Sequence, residues 1–242
     1  MPNIKTLAIV LRHADYREND RMLTLLSPAL GRVDALCRGC KRPQSPLMGC
    51  SECFAMGEYV LFSGRGRATV VSCALQDSFY PLRENFDDLS AASYMLAVCE
   101  AAAQPGERSL ELFTLLTRSL SRLAYKEMNR RAVTAAFLLL FAALSGYRPR
   151  LSHCVRCGKP VAAEEARLMD TAEGGLCCAA CADSLTGGAA VTPGQVRWMQ
   201  DVLRVGVEKT ACPPEDAPLN LLRLYVESRL DKRLPAGRLL KL

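Results

Sequence analysis

The chain has 242 residues, 50% hydrophobic and 23% charged, with 12 cysteines and a formal net charge of +6. This is an ordinary globular composition, long enough for two or three small domains, and it excludes a disordered or fibrous chain. The longest apolar run, Ala132 to Leu144, is too short to span a bilayer. The opening MPNIKTLAIVLRHADY does not read as a secretory leader, because Arg12, His13 and Asp15 end its apolar run.

The cysteines are therefore expected as thiols or metal ligands in a reducing cytoplasm, and the positive charge permits nucleic-acid binding without requiring it. The first eighty residues read as β. Strands are predicted at Thr6 to Arg12, Arg21 to Leu26, Arg32 to Cys37, Glu58 to Ser63 and Ala68 to Phe79, the last after a Gly64-Arg65-Gly66 turn. Five short strands with polar turns suggest a small barrel of the OB type, whose open face commonly holds single-stranded nucleic acid. The loop after the third strand is basic. Arg38, Lys41 and Arg42 are separated by no acid, Gly39 allows close backbone approach, and Ser45 offers a hydroxyl. It reads as a sequence-independent phosphate clamp or as a solvated loop. Arg17, Arg21 and Arg32 are weaker candidates, and Tyr16, Phe54, Tyr59 and Phe62 are the aromatics within reach of a base. Cys37, Cys40, Cys50 and Cys53 form two C-x-x-C pairs. They are expected as plain thiols rather than a second metal site, because Cys37 ends a strand.

Helices follow. One begins at Phe86-Asp87-Asp88 and stops at Gln104-Pro105-Gly106; a second covers Glu107 to Glu127; a third, Arg130 to Leu144, is apolar nearly all round and belongs at the centre of a bundle. Cys154-x-x-Cys157 and Cys178-x-x-Cys181 then give two knuckles separated by residues 158 to 177. Two thiolates from each of two tight turns complete a tetrahedron, so a closed structural zinc site of one ion per chain is expected. Cys177 offers the wrong spacing, and His153 is not needed as a fifth donor. Thr192 caps and Pro193 opens a helix to Lys209. Ala211-Cys212-Pro213-Pro214 is a linker, and a last helix covers Pro218 to Leu234, with Arg223, Arg229, Lys232 and Arg233 as a second basic set.

Several of these stretches together resemble the bacterial RecO family. They are Ala8 to Arg12, Tyr16-Arg17-Glu18-Asn19-Asp20-Arg21, Gly31, and the Arg38-Gly39-Cys40-Lys41-Arg42-Pro43-Gln44-Ser45 loop. In the second half they are Leu144-x-Gly146-Tyr147-x-Pro149, the two knuckles, and Leu224-Tyr225-Val226-Glu227-Ser228-Arg229-Leu230. Cys37 and Cys40 depart from the small residues usual in that loop, and Pro235-Ala236-Gly237 replaces polar residues near the end.

The resemblance implies an α+β chain: an OB-fold over 1–80, a helical domain over 81–150 and 187–242, and a zinc-binding insert over 151–186. It further implies a non-enzymatic recombination mediator of the cytoplasm and nucleoid. Such proteins bind single- and double-stranded DNA, anneal strands, and work with RecR. They contact the C-terminal tail of the single-stranded-DNA-binding protein and so help load RecA. An alternative is a zinc-stabilised interaction scaffold with incidental DNA affinity. The residues agree with the absence of an enzyme: there is no Gly-x-x-x-x-Gly-Lys phosphate loop, no His-Glu-x-x-His and no zinc-deaminase signature.

Overall fold

A computed structural model describes residues 3–63, 67–125, 129–182, 188–209, 213, 217–230 and 234–235. The expected Gly64-Arg65-Gly66 turn, most of the expected linker at 211–214, the end of the second helix at Glu127, Lys232, Arg233, and Ala236 and Gly237 lie outside these residues.

Five strands build the N-terminal barrel: β1 (Asn3–Arg17), β2 (Asp20–Ser27), β3 (Gly31–Cys37), β4 (Met56–Ser63) and β5 (Ala68–Asp77). They close in the order β1-β2-β3-β5-β4. β1 is far longer than Thr6 to Arg12 because it serves two neighbours. Its first half pairs with β4 and its second half with β2, both antiparallel, with register shifts at Val10/Arg12 and Asp15/Arg17. β3 meets β5 in parallel through only Ala35–Ala68 and Leu36–Thr69. Inward positions at spacing two fill the barrel: Ala8 and Val10, Leu23 and Leu25, Ala35 and Cys37, Tyr59 and Leu61. β5 stops before the expected Phe79. Asp77 Oδ1 accepts the Phe79 N–H at 2.8 Å, and Phe79 turns into the left-handed region at φ 48.

The helices are α1 (Phe86–Ala102), α2 (Leu110–Tyr125), α3 (Arg130–Leu144), the single turn α4 (Ala179–Ala182), α5 (Pro193–Val205) and α6 (Leu219–Arg229). Each expected long helix is present, shorter at one end or both except for α3. Asn85 caps α1 by accepting from the N–H groups of Asp87 and Asp88. Thr192 and Gln195 cap α5 reciprocally, and Gly206, at φ 78, ends it before Lys209. A small sheet missed by the sequence reading, β6 (Ala166–Asp170), β7 (Gly175–Cys178) and β8 (Ala189–Ala190), runs in the order β7-β6-β8.

The chain divides into two compact units, Met1–Leu89 with Ser93–Thr117, and Ser90–Ala92 with Arg118–Leu242. In the second unit α3 packs on α5 and α6, and residues 132–139 of α3 are all buried. In the first unit the turn before β3 is tied to the segment after α1. Arg32 N–H donates to Gln104 O at 3.1 Å, Gly106 N–H to Leu30 O at 3.0 Å and Ser109 N–H to Pro28 O at 3.1 Å. No helix among the described residues is long and apolar enough to cross a membrane.

Candidate nucleic-acid interface and metal centre

The basic loop folds back on the β1–β2 hairpin. Asp20 Oδ1 accepts the Gly39 N–H at 2.8 Å, and Lys41 N–H donates to Asn19 O at 3.1 Å. The acids near the hairpin therefore hold the loop. Lys41 is committed as well: its Nζ lies 2.7 Å from Asp15 Oδ2, and that hydrogen bond holds the Asp15 carboxyl below its usual range. Arg21 is turned inward, its Nη1 2.5 Å from Glu52 and 3.3 Å from Ser51 O. The Ser45 hydroxyl accepts from Leu47 N–H at 3.3 Å and so shapes the loop. Arg38, Arg42 and Arg17 remain exposed at this end of the barrel. Of the four aromatics, Phe54 and Tyr59 are core, whereas Tyr16 and Phe62 are exposed.

A hollow of about 610 Å³ opens on the outer face of β1, β2 and β3. Its floor is a polar row across three strands. Arg12 faces Thr24, and Thr24 faces Asp34, with Arg12 Nη2 3.3 Å from Thr24 Oγ1 and Thr24 Oγ1 donating to Asp34 Oδ1 at 2.9 Å. Arg12 also donates to Glu100 Oε1 at 2.7 Å. Arg32 and Arg67 line the sides and Pro105 one wall. Arg32 Nε is buried with no hydrogen-bond partner among the described residues, 3.9 Å from Asp34. Arg67 in turn stands 5.7 Å from the Tyr16 ring, with Arg17 at 5.5 Å from the same ring. The sequence reading reached Arg32 and Tyr16 but not Arg12 and Arg67. Ending the first strand at Arg12 hid the shared face of Arg12 and Ala14; a longer period-two reading would have shown it.

In the second unit Cys154, Cys157, Cys178 and Cys181 place their sulfurs within 4.8 Å of one another. The first knuckle closes where Gly158 N–H donates to Cys154 O at 2.9 Å, with Gly158 at φ 72. The second leaves β7 and enters α4. Alternation along β7 explains the choice of Cys178: adjacent strand residues face opposite sides, and Cys177, buried next to Cys154, is not one of the four converging thiols. A tetrahedron of ~2.3 Å metal–sulfur bonds has edges of about 3.8 Å. Cys157 and Cys178 Sγ are 3.8 Å apart. Burial opposes a Cys154 thiolate, but the N–H groups of Cys157, Cys178 and Arg156 outweigh it and bring its pKa down to about 6. The donor set fits a closed tetrahedral metal site with no position left for a substrate. His153 is exposed, its Nδ1 3.0 Å from Ser152 Oγ, and is no member of the group.

Cys37, Cys40, Cys50 and Cys53 do not converge in this way. Cys37, Cys40 and Cys50 are buried in the barrel core, where Cys50 Sγ lies 3.8 Å from Cys73 O. Burial pushes the Cys37 thiol up, and it does the same to Cys53, which lies instead near His13 and Arg83.

The Gly146-Tyr147 segment and α6 form a latch on the small sheet. Tyr225 donates to Tyr147 O at 2.9 Å, and Arg229 lies 5.3 and 5.1 Å from the two tyrosine rings while donating to Thr171 O at 3.0 Å. Arg223 lies 3.7 Å from Glu227. Of the second basic set, Arg223 and Arg229 are thus engaged within their own unit, and Lys232 and Arg233 lie outside the described residues.

Comparison with known sequences divides the chain just after the barrel strands. The family profile described as "Recombination protein O N terminal" matches residues 1–79, and "Recombination protein O C terminal" matches residues 83–238. The chain is 34% identical over 178 residues to a protein named "DNA repair protein RecO" of Alkaliphilus metalliredigens, covering 74% of this chain and 72% of the relative. It is 31% identical over 224 residues to the protein of that name from Rubrobacter xylanophilus, covering 92% and 90%. Against that of Desulfitobacterium hafniense it is 32% identical over 205 residues, covering 84% and 74%. With the N-terminal profile matched over the barrel, the C-terminal profile over the remainder and relatives of this identity and coverage, the chain belongs to the RecO family of DNA repair proteins.

Proposed function

We propose that this chain is a non-enzymatic recombination mediator that binds single- and double-stranded DNA through its barrel and anneals complementary strands. It acts with RecR and with the C-terminal tail of the single-stranded-DNA-binding protein, and so promotes RecA loading, in the cytoplasm at the nucleoid. One observation carries the DNA-binding part: at one end of the barrel Arg17, Arg38 and Arg42 are exposed, beside neighbours whose charges are already paired. Free guanidinium groups on a strand-and-loop surface neutralise phosphates without reading sequence, and each neutralised phosphate releases counterions.

Cys154, Cys157, Cys178 and Cys181 would hold zinc. Four thiolates suit that ion, which would supply folding energy to the small sheet rather than chemistry. The domain layout is that of the sequence reading: barrel over 1–80, helical parts over 81–150 and 187–242, zinc insert over 151–186.

The test is Arg38→Glu/Arg42→Glu, titrated with labelled single-stranded and duplex DNA over a range of salt. Affinity falls for both forms and for every sequence, and the slope of log affinity against log salt flattens by roughly 0.7–0.9 for each phosphate no longer neutralised. Unchanged affinity and slope would move DNA off this end of the barrel.

A further inference from the structure

The hollow on β1, β2 and β3 carries parts that the basic loop lacks. An exposed aromatic ring, Tyr16, stands at the register shift between Asp15 and Arg17, two and four residues along β1 from Ala14 and Arg12, which line the hollow. From Arg12 to Tyr16 the strand runs about 13 Å, enough for a short stretch of extended backbone. Arg67 links the two ends, lining the hollow and standing 5.7 Å from the Tyr16 ring.

The charges suit a phosphodiester. Arg12, Arg32 and Arg67 face Asp34 in the hollow, and Arg12 is also paired with Glu100. Three cations against two carboxylates leave about one positive charge, which matches one diester and falls short of a free phosphate dianion. Arg32 lines the hollow and adds a guanidinium to it, its buried Nε 3.9 Å from Asp34 Oδ2.

We propose that this groove is a subsite selective for single-stranded DNA, with one base stacked on Tyr16 and the adjoining backbone phosphate held by Arg67 and Arg32. The inference rests on the DNA-binding reading above and adds to it how single strands are told from duplex. Within a duplex both faces of a base are occupied by stacking neighbours. An unpaired base can stack on the half-exposed Tyr16 ring in place of a guanidinium that lies over it, and such stacking tolerates any sequence. Arg17, on the same ring, extends the track toward Arg38 and Arg42. Arg12 has a positioning role: held by Glu100 and Thr24, it sets the floor and carries Asp34 in the row.

The experiment uses the full chain with fluorescein-labelled oligo-dT and a duplex of equal length, read by anisotropy at one salt concentration. The variants are Tyr16→Ala, Tyr16→Phe, Arg67→Ala and Arg38→Glu/Arg42→Glu. Tyr16 and Arg67 are exposed, so the variants should fold, and thermal melting checks this. Tyr16→Ala weakens oligo-dT binding by roughly 5- to 100-fold. Duplex affinity stays within about twofold, Tyr16→Phe restores single-strand binding because it keeps the ring, and Arg67→Ala follows Tyr16→Ala. If Tyr16→Ala and Arg67→Ala leave oligo-dT affinity unchanged while the loop variant loses it, the groove is not the subsite although the DNA-binding reading stands. Equal losses on single strand and duplex would also overturn the selectivity. If the wild-type chain binds neither DNA, the functional reading fails together with the inference.

Discussion

His13 is half-buried, 3.5 Å from Glu52 and close to Arg21. Burial is the largest influence on it and Arg21 the next; both disfavour the imidazolium, and together they outweigh the pull of Glu52 and Asp15, so its pKa lies below the ordinary 6.5. The unfolded chain then binds a proton more readily than the folded one. The stability from neutral His13 is complete above pH 6.5 and is lost as the pH falls through the depressed folded value. Melting curves between pH 8 and pH 5 should show wild-type stability declining below 6.5. His13→Gln should lack that component. An identical pH dependence in the variant would show that His13 titrates as it does in the unfolded chain. Residue type alone gave no hint of this, because the desolvation comes from neighbours far apart in the chain. The same holds for the basic residues. Arg21 and Arg38 look alike in sequence, yet Arg21 is spent on Glu52 while Arg38 is exposed.

Among the elements, the segment after α1 acts as a partial extra strand for β3. Gly31 and Pro105 form a bridge, and the surrounding backbone bonds join 28–32 to 104–109. Gly31 is required there twice over. Its φ of +67 suits glycine, and a Cβ would meet Gln104 O at 2.3 Å and Glu107 O at 2.4 Å. Gly31→Ala should therefore cost more than about 2 kcal/mol, combining left-handed strain with a backbone clash, and lower Tm by several degrees. Because Pro105 walls the hollow, oligo-dT binding should weaken in parallel. An unchanged Tm would mean that the 104–109 segment yields easily. Sequence patterning found every barrel strand and long helix, since alternation and 3.6-residue spacing are local signals. It missed the length of β1 and the sheet of β6, β7 and β8. A strand with two partners changes neighbours midway, and two- to five-residue strands carry too few alternations to register.

At the scale of the whole molecule, the four-cysteine group that could hold a metal stands where several features of the second unit come together. The two knuckles, the small sheet and the latch of Tyr147, Tyr225 and Arg229 meet in one region. Asp170 reinforces it. Burial opposes its charge, but the Glu173 N–H, Arg156 and the Ala172 N–H hold its carboxyl below the usual range. Gly174 lies so near Tyr225 that a Cβ would fall 2.6 Å from the hydroxyl. Elemental analysis should find one zinc per chain, and Cys154→Ser/Cys178→Ser should lose it and melt at lower temperature. Two zincs, one surviving in the variant, would place a metal among the barrel thiols. DNA affinity that persists in the variant would assign binding to the barrel, whereas its loss would tie binding to the second unit.

Cysteine spacing, strand and helix periodicity and the ordered motifs were enough, from sequence alone, to establish the barrel, the helices, the four-thiol group and the family. Each is encoded over short stretches, or over short stretches in a set order. Which arginines are free, which tyrosine faces outward, and where Cys73 and Arg67 come to lie were decided only by the tertiary structure. Those facts depend on strand register and on ion pairs between residues tens of positions apart, such as Arg21 with Glu52 and Lys41 with Asp15. A register shift of one residue reverses the face of every side chain in a strand, so no local pattern determines them.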